Sequence, residues 1–461
     1  MTLIKSISGI RGTIGGRVGE GLTPIDTVRF TAAYASWIKS NFTDSAIKIV
    51  IGRDARISGS IIRQLVVSTL QSLGINVIDL DLSTTPTVEL AVKMEKAHGG
   101  IILTASHNPK QWNALKLLNH KGEFISASDG AHVLQIAQND DYNFSPVDEL
   151  GTYTLNKTYI QKHIDSIHQL EMVNIQAIKN AQFKIVVDAV NSTGGIAIPM
   201  LLESLGVQCI PLYCDPTGHF PHNPEPLAEH LTDISELVQK ELADLGLVVD
   251  PDVDRLAIVN EDGSMFGEEY TLVAVADYIL SKEKGDTVSN LSSTRALKDI
   301  TEKHGGSYFS SAVGEVNVVE TMKSCKAIIG GEGNGGVIYP KSHYGRDALV
   351  GIALFLSHLA EKKIKCSELR ATYPNYYMSK NKIELTPKMD VDSVLSAMAS
   401  KYEGETLNTI DGLKIDFEQE WVHLRKSNTE PIIRVYTEST SSNSAISLAS
   451  RFVNEIKELI V

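Results

Sequence analysis

The sequence predicts an α/β protein of several domains that ends in a smaller α+β unit. Three observations carry this reading. Short Val/Ile-rich runs alternate with amphipathic stretches, the rhythm of βαβ units and parallel sheets. The rhythm runs through three cycles of roughly 100 residues, the size of one domain each. After about residue 372 it gives way to segments that read as antiparallel strands.

In the first cycle Ile47–Ile51, Ile75–Leu80 and Ile101–Leu103 read as strands, with helices near 60–73 and 86–96. The second offers strands at Phe183–Asp188, Val207–Leu212 and Leu245–Val249, with helices near 194–205 and 228–242. The third offers Thr287–Leu291, Ala327–Ile329 and Val337–Tyr339, with helices near 269–282, 295–304 and 346–361. In the tail, KNKIELTP, GLKIDFEQEWVHLR and PIIRVYTES read as antiparallel strands, with helices near 391–402 and 442–459. Domains are therefore expected at 1–151, 152–255, 256–371 and 372–461, more than one core's worth of chain.

Composition excludes several classes. Hydrophobic residues at 43% and charged residues at 21% are ordinary for a globular protein, and a net charge of -13 argues against a nucleic-acid partner. MTLIKSISGIRG has no apolar core of signal-peptide length, and no run approaches the ~18 apolar residues of a membrane span. Cys209, Cys214, Cys325 and Cys366 form no C-x-x-C pair, so they read as idle thiols of a reducing compartment. A cytoplasmic protein with no membrane partner is expected.

Four stretches carry chemistry. In GGIILTASHNPKQWNALKLL the apolar run stops at Ser106, with His107 beside it. Ser106 reads as a turn residue, a hydrolase nucleophile, or a hydroxyl that carries a group. No G-x-S-x-G elbow is present, and adjacent side chains on extended backbone point apart, which weighs against the hydrolase.

In LGLVVDPDVDR, Asp250, Asp252 and Asp254 follow a buried-looking strand at spacing two, so on extended backbone they share one side. They are either a solvated acidic loop or ligands for a hard cation. An EF-hand fails because Arg255 stands where its glycine must be; Mg²⁺, which takes few protein ligands, fits better. Arg255 suits a phosphate, or is a salt-bridge partner of the aspartates.

In RKSNTEPIIR, Arg425, Ser427, Asn428, Thr429 and Arg434 gather hydroxyls, amides and guanidinium groups around a loop, as a phosphate cradle would, or as any polar hairpin loop does. In GGEGNGG, Gly331, Gly333 and Gly336 satisfy G-x-G-x-x-G, but a strand-like VIY follows instead of a helix, which argues against a dinucleotide. Glu332 and Asn334 there can meet ligand hydroxyls. His219 and His222 read as loop histidines, Arg53 and Asp54 as an ion pair or helix cap, and His343 and Arg346 as supports of the GGEGNGG loop.

Taken together, these stretches resemble the α-D-phosphohexomutase superfamily over essentially the whole length. TASHNP is similar to its phosphoserine loop, DPDVDR to its metal loop, GEGNG to its sugar loop, RKSNTEP to its phosphate loop, and SGIRG to its substrate-facing N-terminal segment. The resemblance implies three related α/β domains with mixed sheets plus a C-terminal, TATA-binding-protein-like α+β domain around a central cleft. It implies a phosphorylated Ser106 that holds Mg²⁺ together with Asp250, Asp252 and Asp254. It also places Lys116, His107 and Arg11 beside the reacting groups, with either Lys116 or His107 moving the proton.

The implied activity is an isomerase that interconverts hexose 1-phosphate and hexose 6-phosphate through a 1,6-bisphosphate, with small-molecule hexose phosphates as its partners and no stated oligomeric state. Two departures bear on it. Pro251 replaces the glycine usual in the metal loop. Asn334 and Gly336 stand where bacterial sugar loops have serine and histidine, as in archaeal-type members, which favours phosphoglucosamine mutase over phosphoglucomutase/phosphomannomutase. From other classes, a Mg²⁺-dependent sugar phosphatase and a non-catalytic sugar-phosphate binder remain as alternatives.

Overall fold

A computed structural model describes residues 2–6, 9–44, 46–384, 390–426 and 432–460. The chain forms two compact units: Met1–Tyr278 with Asn334–Leu369, and Ile279–Gly333 with Arg370–Val461.

The first unit holds a seven-stranded sheet in the order Ile4–Ser6, Gly9–Thr13, Trp112–Leu118, Gly99–Leu103, Lys48–Arg53, Asn76–Leu82, Tyr153–Leu155. Lys48–Arg53 is parallel to both Asn76–Leu82 and Gly99–Leu103, as the βαβ rhythm predicts. Trp112–Leu118 is antiparallel to Gly99–Leu103, so the sheet is mixed. The connection, residues 104–111, is shorter than the dozen or so residues a parallel crossover needs. A second sheet runs Leu256–Asn260, Leu245–Val249, Lys184–Asp188, Gln208–Leu212. It is mixed for the same reason: Leu245–Val249 is parallel to Lys184–Asp188 but antiparallel to Leu256–Asn260 across the short 250–255 loop. The parallel βαβ rhythm is thus broken at the TASHNP and DPDVDR loops, and both sheets are mixed, as the resemblance implies.

Gly99–Leu103 and Leu245–Val249 are buried along their whole length, which is why they read as unbroken apolar runs. Helices cover both sheets. Pro24–Asn41, absent from the sequence reading, starts at a capping box made by Thr23 and Asp26 with Pro24 in its first turn. Thr85–Met94 starts at Thr84, and Ala348–Lys362 at Asp347, each capped by the side chain.

In the second unit, Thr287–Asn290 is parallel to Tyr308–Ser311 and to Ile329–Glu332. The tail forms an antiparallel sheet ordered Tyr377–Glu384, Ile432–Ser439, Trp421–Lys426, Leu413–Asp416, Thr406–Asn408. Helices Val391–Lys401 and Ser442–Ile460 pack Val394, Met398, Phe452 and Ile456 onto Ile415, Val422, Leu424 and Ile433. This is the expected α+β tail. Among the described residues no helix is long and apolar enough to cross a membrane, and the four cysteines are free thiols.

Candidate functional site

Ser106 stands in the turn that follows Gly99–Leu103 and is 8% exposed, with φ +49°. That left-handed conformation is uncommon for a residue with a Cβ and has to be held by its surroundings. The holder is Arg56. Its guanidinium, paired with Asp54 at 2.9 Å, donates to the carbonyls of Ser106, Asn108 (2.6 Å), Pro109 (2.8 Å) and Trp112 (3.0 Å). Thr104 completes the clamp: its hydroxyl donates to Asp54 at 2.7 Å and accepts from the Ser106 N–H at 2.9 Å. The turn also overturns one expectation. Ser106 and His107 do not point apart; Ser106 Oγ and His107 Nδ1 lie 3.4 Å from each other.

The three aspartates converge, again through a turn rather than the extended backbone expected of them. Val253 has φ +64°, and its N–H donates to Asp250 O at 3.1 Å. Ligand oxygens of Asp250, Asp252 and Asp254 then lie within 4.8 Å of one another, all fully buried. A solvated acidic loop is therefore the wrong reading. Hydroxyls of Ser192 and Thr193 fix the loop by donating to Pro251 O at 2.7 and 2.9 Å. The Ser106 hydroxyl donates to Asp250 Oδ2 at 2.7 Å, which joins the two motifs.

Two cations neutralise part of this charge. Lys116 Nζ is 2.7 Å from Asp252 Oδ2 and 3.5 Å from Asp254 Oδ2, and Arg346 Nη2 donates to Asp254 Oδ2 at 2.6 Å. Burial pulls the Lys116 ammonium toward neutrality, but Asp252 and Asp254 outweigh it and raise its pKa, so it stays charged. Burial likewise opposes ionisation of Asp252, yet Lys116 and the Thr85 hydroxyl (2.5 Å) hold its carboxyl below the usual range. For Asp250, burial, then Asp254 and Asp252, outweigh Arg255 and the Ser106 hydroxyl and push its carboxyl well up. His107 is held well below its ordinary value by burial and by Arg255 and Arg346, and is neutral. Asp252 Oδ1 and Asp254 Oδ1 are buried without a hydrogen-bond donor. Two bare carboxylate oxygens beside a third group driven toward protonation fit a hard divalent cation.

The remaining candidates divide between the units. In the first, Arg11 lies opposite Ala114 in register, so its side chain emerges on the same face as Lys116. Arg255 forms its ion pair with Glu225 at 3.6 Å and not with a loop aspartate, although its N–H donates to Asp250 Oδ1. Asn334 Oδ1 accepts from the Gly336 N–H at 3.3 Å, and strand Gly336–Ile338 follows, in keeping with the rejection of a dinucleotide site. In the second unit, Glu332 is buried and its Oε1 accepts from Asn290 Nδ2 at 2.9 Å and the Gly314 N–H at 3.2 Å. Arg425 and Arg434 face each other across neighbouring strands; Arg425 Nε is 2.8 Å from Asp411, and Arg434 donates to the Tyr436 hydroxyl at 3.1 Å. Ser427, Asn428 and Thr429 lie outside the described residues.

Several participants were not singled out by the sequence. Thr85, Arg56, Ser192 and Thr193 reach the site through the packing of segments far apart in sequence, and Thr104 lies within the TASHNP loop itself. Arg346, expected to support the glycine loop, packs its side chain against Gly336 and also meets Asp254. Arg53 pairs with Asp81 at 2.9 Å, Asp54 with Arg56, and His222 with Asp188 at 2.9 Å.

Comparison with known proteins assigns the whole chain. Models of phosphoglucomutase/phosphomannomutase domains match in order: alpha/beta/alpha domain I over residues 4–144, domain II over 161–263, domain III over 267–376, and the C-terminal domain over 380–455. The "Phosphoglucomutase/phosphomannomutase" of Thermococcus kodakarensis is 33% identical over 438 residues, 94% of this chain and 95% of that one. The "Probable phosphoglucosamine mutase" of Methanopyrus kandleri is 30% identical over 456 residues, 98% of this chain and 97% of that one. Among solved structures, a phosphoglucomutase/phosphomannomutase family protein from Burkholderia thailandensis superposes with a TM-score of 0.84 at 24% identity, covering 99% of this chain and 98% of that one.

Proposed function

The chain belongs to the phosphoglucomutase/phosphomannomutase family, and from that premise we propose that it is a phosphohexomutase whose Ser106 carries the phosphoryl group and whose preferred sugar is glucosamine. The observation that supports the serine's role most directly is its hydroxyl at 2.7 Å from Asp250, inside a buried triad of carboxylates. A group that only shaped a turn would have no reason to be aimed at a place where a cation belongs.

The chemistry follows from that placement. Asp250, Asp252 and Asp254 would hold Mg²⁺, which when bound draws charge from the phosphoryl oxygens and makes the serine oxygen a better leaving group. The 6-hydroxyl of a hexose 1-phosphate attacks the phosphorus on Ser106, the P–Oγ bond breaks, and the attacking hydroxyl loses its proton to the protein. The 1,6-bisphosphate then turns end for end and returns its other phosphoryl group to Ser106, leaving the 6-phosphate. Alignment and charge balance do most of the work in such a transfer.

Two side chains can move the proton. His107 is already neutral and close to the serine oxygen, whereas Lys116 keeps its proton while it pairs with Asp252 and Asp254. Arg425 and Arg434, with the Ser427–Thr429 loop, are proposed to take the phosphate that is not in transfer; Arg255 also serves phosphate, and Glu332 and Asn334 the sugar hydroxyls. Relatives named as phosphoglucosamine mutases, and Asn334 and Gly336 in the sugar loop, support glucosamine. The relative named for glucose and mannose supports the second reading, a phosphoglucomutase/phosphomannomutase. Rates measured side by side on glucosamine, glucose and mannose 1-phosphates test the choice. Highest kcat/KM on glucosamine 1-phosphate is expected; a preference for either other sugar overturns it.

A further inference from the structure

The carboxylate loop is gripped by the first residues of two helices. At the start of Thr85–Met94, the Thr85 N–H donates to Asp252 O at 2.9 Å and its hydroxyl to Asp252 Oδ2 at 2.5 Å. At the start of Ala348–Lys362, the Ala348 N–H donates to Val253 O at 3.2 Å, and nearby Arg346 holds Asp254. The relative placement of these two helix starts therefore sets the shape of the triad.

A buried polar chain, unused by the transfer itself, ties them together. Glu89 Oε2 on the first helix is 3.2 Å from His343 Nδ1, and His343 Nε2 is 3.1 Å from Asp347 Oδ2. The same Asp347 oxygen is 2.9 Å from His163 Nε2, whose Nδ1 is 2.9 Å from Thr87 Oγ1, back on the first helix. The other Asp347 oxygen caps the second helix through the N–H groups of Leu349 and Val350. Glu89, His163, His343 and Asp347 are at most 3% exposed. Gly345 fits the turn to the carboxylate: a Cβ there would sit 1.9 Å from Glu89 Oε2.

His343 lies between two carboxylates, hydrogen-bonded through Nε2 to Asp347 and within 3.2 Å of Glu89 through Nδ1 without hydrogen-bond geometry, a placement that favours the protonated ring. Burial opposes that charge, but Asp347 and Glu89 outweigh it and lift His343 to about 9. The groups facing it are Glu89 and Asp347, with His163 on the far side of Asp347.

We propose that His343 is a positioning residue for the carboxylate loop: as an imidazolium it locks Glu89 to Asp347, fixes the two helix starts against each other, and so sets the affinity of the triad for a divalent cation. The proposal rests on reading the triad as a metal site. The test is calorimetric titration of the full-length protein with Mg²⁺, without sugar, at about pH 7 and at about pH 9.5, on either side of the value expected for His343.

For His343→Gln, Mg²⁺ affinity near pH 7 is expected to fall about tenfold or more, the effect typical of groups that orient metal ligands. Wild-type affinity is expected to drop toward that of the variant at the higher pH, while the variant shows no such drop. Equal affinities near pH 7, or parallel pH dependences, overturn the proposal. If His343→Gln does not fold, the wild-type series with Thr87→Val decides: an unchanged wild-type affinity at high pH, with Thr87→Val binding as tightly as wild type, also overturns it. Asp252→Asn separates the two readings. If it too binds Mg²⁺ as wild type does, the metal site itself is misassigned.

Discussion

Ser106 Oγ and Asp250 Oδ2 are 2.7 Å apart although 144 positions separate them in the chain. Each stands just beyond a fully buried strand, in a loop too short to cross the sheet, so each strand is followed by an antiparallel neighbour. The two hairpins meet only when both sheets of the first unit are built. Their meeting places the hydroxyl on the triad member that is held nearest to protonation.

A phosphoryl carrier should be found partly loaded. Intact-mass measurement of freshly purified protein is expected to show a subpopulation heavier by one phosphoryl group, mapped by fragmentation to Ser106. Ser106→Ala should lose that species and all mutase activity. Full activity in an unmodified protein, assayed without added bisphosphate, contradicts the relay.

Asp252→Asn keeps an oxygen for the Thr85 hydroxyl but removes the charge that pairs with Lys116. Turnover is expected to fall by about 10³-fold, the several kcal/mol a bound cation contributes to a transferring phosphoryl group. Circular dichroism should remain that of wild type. Ordinary turnover in this variant removes the metal from the reaction.

Lys116 and His107 can be told apart by what else their loss disturbs. Lys116→Gln leaves Asp252 without its closest cation, and breaking a buried pair costs about 3–5 kcal/mol. A lower melting temperature should accompany the loss of rate. His107 is neutral, so His107→Gln should leave the melting temperature near that of wild type while slowing turnover by about 10²–10⁴ if it moves the proton. Unchanged turnover in His107→Gln assigns the proton to Lys116.

The charge on His343 also has a consequence for stability. Its folded value, about 9, lies above the ordinary 6.5. The stabilisation is therefore full below about pH 6.5 and is lost as pH rises through about 9, an effect on the order of 3 kcal/mol. Chemical denaturation between these pH values should show wild type losing stability and His343→Gln losing less. Parallel losses in the two proteins would mean that the ring is neutral.

The sequence located the reactive segments better than it described their geometry. Strand Leu245–Val249 and helix Val391–Lys401 appear where apolar periodicity put them, because burial and amphipathicity leave a record in neighbouring letters. Helix Pro24–Asn41 lies outside the helices that periodicity predicts, although Thr23, Pro24 and Asp26 spell a helix start. Spacing two correctly grouped the three aspartates, but for the wrong reason: a left-handed Val253, which no local pattern announces, does the gathering. The partners of the site could not be read at all. Thr85 on Asp252, Arg346 on Asp254 and Arg56 beneath Ser106 are contacts across sequence-distant segments, and such contacts exist only in the packed chain.

Arg56 makes a sharp case of such a contact. Its buried guanidinium serves Asp54 and the carbonyls of Ser106, Asn108, Pro109 and Trp112, which a planar group with several fixed donors can do and a single ammonium cannot. Arg56→Lys keeps the charge beside Asp54 but abandons part of the carbonyl set, so the left-handed turn at Ser106 loses its support. Displacement of a reacting group by about 1 Å costs on the order of 10²-fold in rate. The expected result is a fall in kcat of that order with KM for the sugar phosphate little changed, because Arg56 meets the loop's backbone. Thr104→Val, which removes the hydroxyl between Asp54 and the Ser106 N–H, should give a smaller fall of the same kind. If both variants turn over at the wild-type rate, Ser106 is positioned by something other than this clamp.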